Sequence, residues 1–149
     1  MDLATLVAIE EIRQLKGRYF RLMDQRLWGD WVLLFTEDVH ALYEFGSKYG
    51  LGSTEFKGAD QLKKGVSEFL SPGISVHQGF MPEIEVTSPT TARGTWAMQE
   101  NLCMPTYDYV GYGHYVEDYL KEHGVWKIEN IVLTRLFYNV TWREGFPAH

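Results

Sequence analysis

The sequence predicts an α+β fold in which a long N-terminal helix packs in the concavity of a curved, mostly antiparallel sheet and closes an aromatic-lined pocket. Helical periodicity is confined to the first 70 residues, and strand-like alternation dominates after residue 74. Helices followed by strands in this order are typical of α+β proteins. Because the 149 residues contain no linker, repeat or low-complexity tract, we expect a single domain over residues 1–149.

The helical part begins with the strongest pattern in the chain. From Leu3 to about Leu27, apolar residues recur at steps of three and four with charged residues between them, which predicts one long amphipathic helix. Gly29 and Asp30 interrupt it. The elements predicted next are a short helix from Trp31 to Phe35, a strand from Val39 to Phe45, a mobile connection or irregular hairpin over the pocket mouth from Gly46 to Gly58, and a helix from Ala59 to Leu70.

The second half of the chain reads as strands. Four are predicted: Ile74 to Thr87, Thr91 to Met104, Gly111 to Lys121 and Val125 to Val140. Short turns at residues 88–90 and 122–124 predict antiparallel hairpins, and residues 104–111 are predicted to form a longer connection.

The charge and cysteine content argue against several classes of function. Fourteen Lys and Arg against 20 Asp and Glu give a net charge of −6, without a basic stretch, so we expect no nucleic-acid partner. No apolar run approaches the ~20 residues that span a bilayer, so we expect no membrane partner. A single cysteine, Cys103, and an N-terminus without a basic region predict a cytoplasmic protein.

Aromatic residues make up 15% of the chain, which predicts a heavy core with the remaining rings lining a cavity or a subunit contact. The strand from Gly111 has no face that is plainly apolar. On the last strand one face carries Trp126, Ile128, Val132, Leu136 and Tyr138, and the other carries Ile131, Leu133 and Phe137. Apolar residues on both faces of a strand predict contact with another subunit, and therefore a homo-oligomer.

Three polar residues fall at positions where strand alternation points inward. Glu100 lies on the apolar face of its strand, so it must find a donor or carry a raised pKa, as an acid catalyst does, unless it lies in solvent or an ion pair. Tyr43 shares a face with Val39 and Ala41, which suits either a core tyrosine or a cavity hydroxyl. His77 lies before Gly79 and Pro82, which are expected to bulge the strand, and is either structural or catalytic.

The N-terminal helix carries two further candidates, Tyr19 and Asp24. Gly17 is expected to let the helix approach the sheet beneath Asp24. A carboxylate at a helix C-terminus opposes the macrodipole, so Asp24 needs another reason to be there or is exposed. At ~100° per residue, Tyr19 is about 140° around the helix from Asp24, so only one of them can point straight into the pocket.

The histidines and glycines do not form the common site motifs. The five histidines, at positions 40, 77, 114, 123 and 149, show no His-x-x-x-His or Cys/His spacing, so no metal site is expected. Gly111-Tyr112-Gly113 and Gly50-Leu51-Gly52 lack the rest of a dinucleotide or phosphate-binding fingerprint, so no cofactor is expected.

Several segments together resemble the SnoaL-like family of the nuclear transport factor two-like fold, a cystatin-like α+β cone. They are Ile12 to Asp24, Leu34 to Val39 with Trp31, Ser75 to Ile84, Ala92 to Trp96, and Gly111 to Tyr115 with Gly124 to Ile128. Within the family the chain is most similar to scytalone dehydratase and the bacterial bile-acid seven-alpha-dehydratase. The match covers nearly the whole chain.

The resemblance implies a dehydratase that removes water from a hydroxylated cyclic carbonyl compound without a cofactor. His77 would be the base, Asp24 its partner, and Tyr19 and Tyr43 polarising or positioning tyrosines. Glu100 stands where the bile-acid enzyme has an Asp. The substrate would be a small hydrophobic ring compound, and a trimer is favoured over a dimer. Relatives also include isomerases, cyclases and binding proteins, so an isomerase or cyclase using the same proton abstraction, or a non-catalytic binding protein, remains an alternative.

Overall fold

The structure is a computed structural model that describes residues 1–44 and 52–145. Within these residues the fold combines three α-helices with a six-stranded sheet. The elements are α1 (Leu3–Asp24), α2 (Trp28–Trp31), a 3₁₀ turn (Val32–Leu34), β1 (Phe35–Glu44), β2 (Ser53–Lys57), α3 (Ala59–Leu70), β3 (Ile74–Ser88), β4 (Thr91–Cys103), β5 (Tyr107–Glu122) and β6 (Val125–Trp142). The predicted α+β class and the curved sheet are confirmed.

The sheet is open, with the strand order β2-β1-β6-β5-β4-β3. All neighbouring strands are antiparallel except β1 and β6, which run parallel. The turn between β5 and β6 is tight because His123 and Gly124 both take positive φ angles, 49° and 79°. The strand order makes β2 and β3 the two edges; α1 packs chiefly against β3, and α3 packs against β1 and β2.

α1 forms because its buried residues follow the helical period and because Asp2 caps its first turn, accepting from the Thr5 amide at 2.9 Å. It ends at Asp24, three residues before the predicted end. The expected role of Gly17 is wrong, since a Cβ there would meet nothing within 4 Å. Gly79 on β3 provides the close approach instead: a Cβ there would lie 2.6 Å from the Phe20 ring.

The segment after α1 differs from the prediction. The short helix begins earlier, at Trp28, and β1 begins at Phe35, so the chain enters the sheet four residues before the predicted strand. The predicted connection spans residues 46–58, and its first part, residues 46–51, lies outside the described residues. Phe45, the predicted end of the preceding strand, lies outside them too. Its described part contains β2, which pairs antiparallel with β1.

The strands confirm most of the predicted pattern. β4 buries its even positions, including Glu100, and β3 has the expected bulge, between Phe80 and Glu83. The predicted long connection before β5 is wrong, because β5 already begins at Tyr107 and leaves three residues to link it to β4. The inner face of β5 carries Tyr115, Glu117 and Tyr119, all buried.

β6 departs most from simple alternation. Its register against β5 shifts twice, once between Asp118 and Tyr119 and once between Tyr112 and Gly113 of β5. Each β-bulge adds a residue and reverses which face is buried. The inner face therefore carries Trp126 and Ile128, then Ile131, Leu133 and Arg135, then Tyr138, Val140 and Trp142. The face assignment made from strict alternation is wrong for this reason.

Candidate active site

A cavity of about 820 Å³ lies between α1, α3 and the inner face of the sheet. Its size suits a drug-sized organic molecule. Most of its lining is apolar or aromatic, and its ionisable lining residues other than tyrosines are His77, Glu100 and Arg135. Tyr19 and Tyr43 line it as well. Four of the five candidate residues therefore line one cavity, and the fifth, Asp24, contacts it through His77.

Asp24 holds His77 with both carboxylate oxygens. Its Oδ1 lies 2.7 Å from His77 Nδ1 and accepts from the Ser75 hydroxyl at 2.9 Å, and its Oδ2 accepts from the His77 amide at 2.7 Å. Hydrogen bonds to an ionised carboxylate are short and strong, so they offset the unfavourable position at the end of a helix. This is the reason that the sequence could not supply for Asp24.

Arg26 anchors the end of α1 to the start of β3. Its backbone takes a positive φ of 63°, which a non-glycine residue adopts only when surrounding contacts hold it. Its guanidinium donates to the Ser75 hydroxyl at 2.6 Å and to the carbonyls of Leu70 and Gly73 at 2.9 and 2.8 Å. Ser75, fixed by this contact, donates in turn to Asp24. The contacts around Arg26 thus position Asp24 against His77.

His77 lies between two carboxylates. Its Nε2 is 3.2 Å from Glu100 Oε2, because the two residues are directly opposite on β3 and β4. Burial disfavours the charged imidazolium, but the hydrogen bonds and charges of Asp24 and Glu100 outweigh burial and raise the pKa of His77. The imidazole thus has one nitrogen held by the helix and the other beside a cavity carboxylate.

Glu100 finds its donors in Arg135 and His77. Arg135 Nε donates to its Oε1 at 2.8 Å, and Nη2 contacts the same oxygen. Burial favours the neutral acid, but His77 and Arg135 together lower the pKa of Glu100 below its ordinary value. The raised pKa considered for an acid catalyst is therefore wrong, and the ion-pair alternative is correct.

Tyr19 and Tyr43 form a hydroxyl pair in the cavity, with their oxygens 3.1 Å apart. Both are buried, and burial raises the pKa of each hydroxyl. The Tyr19 hydroxyl also hydrogen-bonds to Tyr115, so two of the three hydroxyl protons serve these contacts and one is left for a substrate oxygen. The ~140° between Tyr19 and Asp24 around α1 is compatible with a single site. Tyr19 points into the cavity, and Asp24 contacts His77 from the other side of the imidazole.

Arg135 and Tyr115 also line the cavity, and neither was recognised as a site residue from the sequence. Arg135 was missed because its partner Glu100 is 35 residues away and because the bulges in β6 obscure the inner face. The usable signal was its spacing, since it follows Ile131 and Leu133 at steps of two.

Two negative findings concern the described ranges, residues 1–44 and 52–145. Within them, no three His, Cys, Asp or Glu side chains are grouped so that they could hold a metal ion. In the same ranges, no helix is long and apolar enough to cross a membrane.

With this geometry in place, the chain can be compared with known proteins. The SnoaL-like domain model matches residues 4–132. The chain belongs to the SnoaL-like family. This SnoaL-like protein is similar in structure to a provisionally named scytalone dehydratase from Novosphingobium aromaticivorans, with a TM-score of 0.83 and 20% identity over 93% of this chain and 91% of the other.

The SnoaL-like fold is also found in two hexachlorocyclohexane dehydrochlorinases. LinA type 2 gives a TM-score of 0.77 and 20% identity over 100% of this chain and 98% of the other. LinA type 3 from Novosphingobium barchaimii gives 0.76 and 19% identity over 98% and 97%. At such identities the likeness shows the shared fold.

Proposed function

We propose that this protein is a lyase that removes water from a hydroxylated cyclic carbonyl compound by acid–base catalysis on its own side chains. The observation that carries the proposal is the His77 imidazole, held at Nδ1 by Asp24 and placed with Nε2 at a largely apolar cavity. A base oriented by a carboxylate and facing a largely apolar cavity suits proton abstraction. The tyrosine hydroxyl pair lines the same cavity and supplies a donor for a substrate oxygen.

In the proposed reaction, Nε2 of neutral His77 removes the proton α to the carbonyl. Asp24 stabilises the imidazolium that forms, and Tyr19 or Tyr43 donates to the developing enolate oxygen. The enolate then expels the β-hydroxyl, which needs a proton to leave as water. Because Glu100 is ionised, the imidazolium supplies that proton, and Glu100 steadies the Nε2–H group in the interval.

The cavity lining supports a small hydrophobic ring compound as the substrate. Tyr107 faces Trp142 with ring centroids 5.5 Å apart, and Tyr109 stacks on Tyr138 at 5.8 Å. All four residues line the cavity. Aromatic surfaces of this kind bind flat apolar ligands well. The names of the similar structures, a dehydratase and dehydrochlorinases, add the argument that this fold serves elimination reactions in other proteins.

The experiment is a turnover screen on ring ketones with a β-hydroxyl, such as 3-hydroxy-1-tetralone, whose dehydration gives 1-naphthol. We expect product above the spontaneous background, with loss of one water by mass spectrometry. An isomerase or cyclase that uses the same proton abstraction would instead change the substrate without loss of water. Saturable binding in a thermal-shift assay without product from any compound would contradict the lyase and favour a binding protein.

The acidic limb of the pH–rate profile is expected to depend on Glu100. His77 acts as a base only when neutral, and Glu100 stabilises its charged form, so kcat/KM should rise with pH through a His77 pKa above 6.5. Glu100→Gln removes that stabilisation, and the limb should move to lower pH. Measurement of kcat/KM against pH checks this. Glu55→Gln, which removes the carboxylate 2.8 Å from the surface residue His40, should leave the limb in place. An unmoved limb in Glu100→Gln would show that Glu100 does not control His77.

We also propose a homo-oligomer, with the trimer of the resemblance favoured, in which the outer face of the sheet forms the subunit contact. Leu136 and Phe137 are 64% and 53% exposed, and Phe137 stacks on Tyr112, which is exposed too. An apolar group of this kind on an outer face is typical of an interface.

Leu136→Glu is therefore expected to lower the molar mass measured by light scattering after gel filtration from that of a trimer towards that of one chain. The burial of a charge in the contact is the physical reason. Met81→Glu introduces the same charge at another apolar residue, 88% exposed, and should not change the mass. A wild-type protein that runs as a single chain would refute the oligomer.

A further inference from the structure

Lys16 and Glu117 form an ion pair inside the protein, on the side of the cavity formed by α1 and β5. Both side chains are fully buried, and Lys16 Nζ lies 2.8 Å from Glu117 Oε2. Taking two charges out of water is costly, and a buried pair is often no more stable than apolar residues of similar volume. Fold stability alone therefore does not account for this pair, and the proposed proton transfers do not use it.

The ammonium group of Lys16 lies against two cavity tyrosines. Its Nζ is 3.7 Å from the ring centroid of Tyr19 and 3.6 Å from that of Tyr115. The two rings contact each other edge to face, with centroids 5.6 Å apart. A cation over a ring face is attracted by the ring's negative quadrupole, so Lys16 holds both rings in one orientation.

Glu117 fixes the position of that cation. Its Oε2 accepts from Lys16, and its Oε1 accepts from the Tyr119 hydroxyl at 2.7 Å. The Tyr119 oxygen accepts in turn from Trp96 Nε1 at 3.0 Å. The titratable groups that face Lys16 or its carboxylate among the described residues are Tyr19 on its own helix, Tyr43 on β1, and Tyr115, Glu117 and Tyr119 on β5. Both carboxylate oxygens are in use, so the ammonium cannot shift without breaking this network.

We propose that Lys16, held by Glu117, is a positioning residue for the cavity tyrosines: it sets the orientation of Tyr19 and Tyr115 and, while charged, makes their hydroxyls stronger donors to a substrate oxygen. A positive charge beside a phenol stabilises negative charge on its oxygen, which strengthens the hydrogen bond that the hydroxyl donates. The inference rests on the proposed function, because it concerns the donors of the same elimination.

The charge of Lys16 is lost within an accessible pH range. Burial lowers the pKa of Lys16 to about 8, against the opposing influence of Glu117. The positioning role therefore predicts an alkaline limb in the pH–rate profile, because kcat falls as Lys16 becomes neutral. Tyr19 and Tyr115 keep their protons in this range, since burial raises the pKa of each.

The test is a pH titration by NMR of protein labelled with ¹³C at lysine Cε and tyrosine Cζ, assigned with single variants. The expected result is that the Cζ signals of Tyr19 and Tyr115 move with the same midpoint as the Cε signal of Lys16. In Lys16→Met/Glu117→Gln, a neutral pair of similar shape in which Gln can still accept from Tyr119, that movement is absent. For a substrate found in the screen, this variant shows a kcat about tenfold lower and no alkaline limb.

The matched control is Lys121→Met/Glu11→Gln, which makes the same two changes in a surface pair 3.9 Å apart. It should leave both the tyrosine signals and the kcat profile unchanged. Tyrosine Cζ signals that do not move as Lys16 titrates would overturn the proposal. An alkaline limb of the kcat profile that is unchanged in Lys16→Met/Glu117→Gln would overturn it as well. Failure of every compound in the screen would count against the proposed function while the tyrosine signals still decide the positioning role.

Discussion

His77→Ala is expected to lower kcat by about 10²- to 10⁴-fold, which corresponds to about 3 to 5 kcal/mol of transition-state stabilisation. The reason is that the variant removes the base while leaving the cavity and the tyrosine donors in place. Asp24 keeps the Ser75 hydroxyl and the backbone amide of residue 77 as donors, and Glu100 keeps Arg135, so neither carboxylate is left unpaired. The variant should therefore fold, and steady-state kinetics with a substrate from the screen measure the loss.

The matched control is His40→Ala, because His40 also pairs with a carboxylate, Glu55 at 2.8 Å, but at the protein surface. Its kcat should equal that of the wild type. Asp24→Asn is expected to slow the reaction with the fold intact, since the amide cannot stabilise the imidazolium as a carboxylate does. Full turnover by His77→Ala would refute the mechanism. An unfolded Asp24→Asn would show instead that Asp24 is chiefly structural.

Lys16→Met alone is expected to lower the free energy of unfolding by about 3–5 kcal/mol, because it leaves Glu117 charged and buried without its partner. Adding Glu117→Gln should recover most of that loss. Chemical denaturation monitored by circular dichroism measures both variants. In the surface pair, Lys121→Met alone should change the free energy of unfolding by well under about 1 kcal/mol. A single Lys16 variant as stable as the wild type would mean that Glu117 becomes protonated or reaches water at little cost.

The regular elements were predictable because their signals are local. α3 has the predicted bounds, and the inward face of β4 followed from alternation alone, which placed Glu100 correctly in the interior. Asp24 and His77 were named through the family resemblance. The two residues are 53 positions apart in sequence. Their contact requires the end of α1 to meet the start of β3, which residue spacing does not show.

The missed features depend on long-range contacts. The pKa of Glu100 could not be assigned without Arg135. The spacing groups Arg135 with Ile131 and Leu133, but the bulges in β6 hide from the sequence that this group faces inward. Lys16 was the exception, since it lies on the apolar stripe of α1 with Ile12, Leu15 and Tyr19, and a lysine there is a readable sign of a buried charge.

The second bulge in β6 has a consequence for how such a protein diversifies. Beyond it, Tyr138, Val140 and Trp142 line the cavity, and all three lie after residue 132, where the match to the family model ends. Asp24, His77 and Glu100 lie within the matched part. Part of the cavity wall is thus encoded beyond the stretch that carries Asp24, His77 and Glu100, although Arg135, the partner of Glu100, also lies beyond it. Mutation of Tyr138, Val140 and Trp142, with Arg135 kept, is therefore expected to change which molecule is accepted without disturbing proton transfer, which makes the end of this strand a target for directed evolution of substrate range.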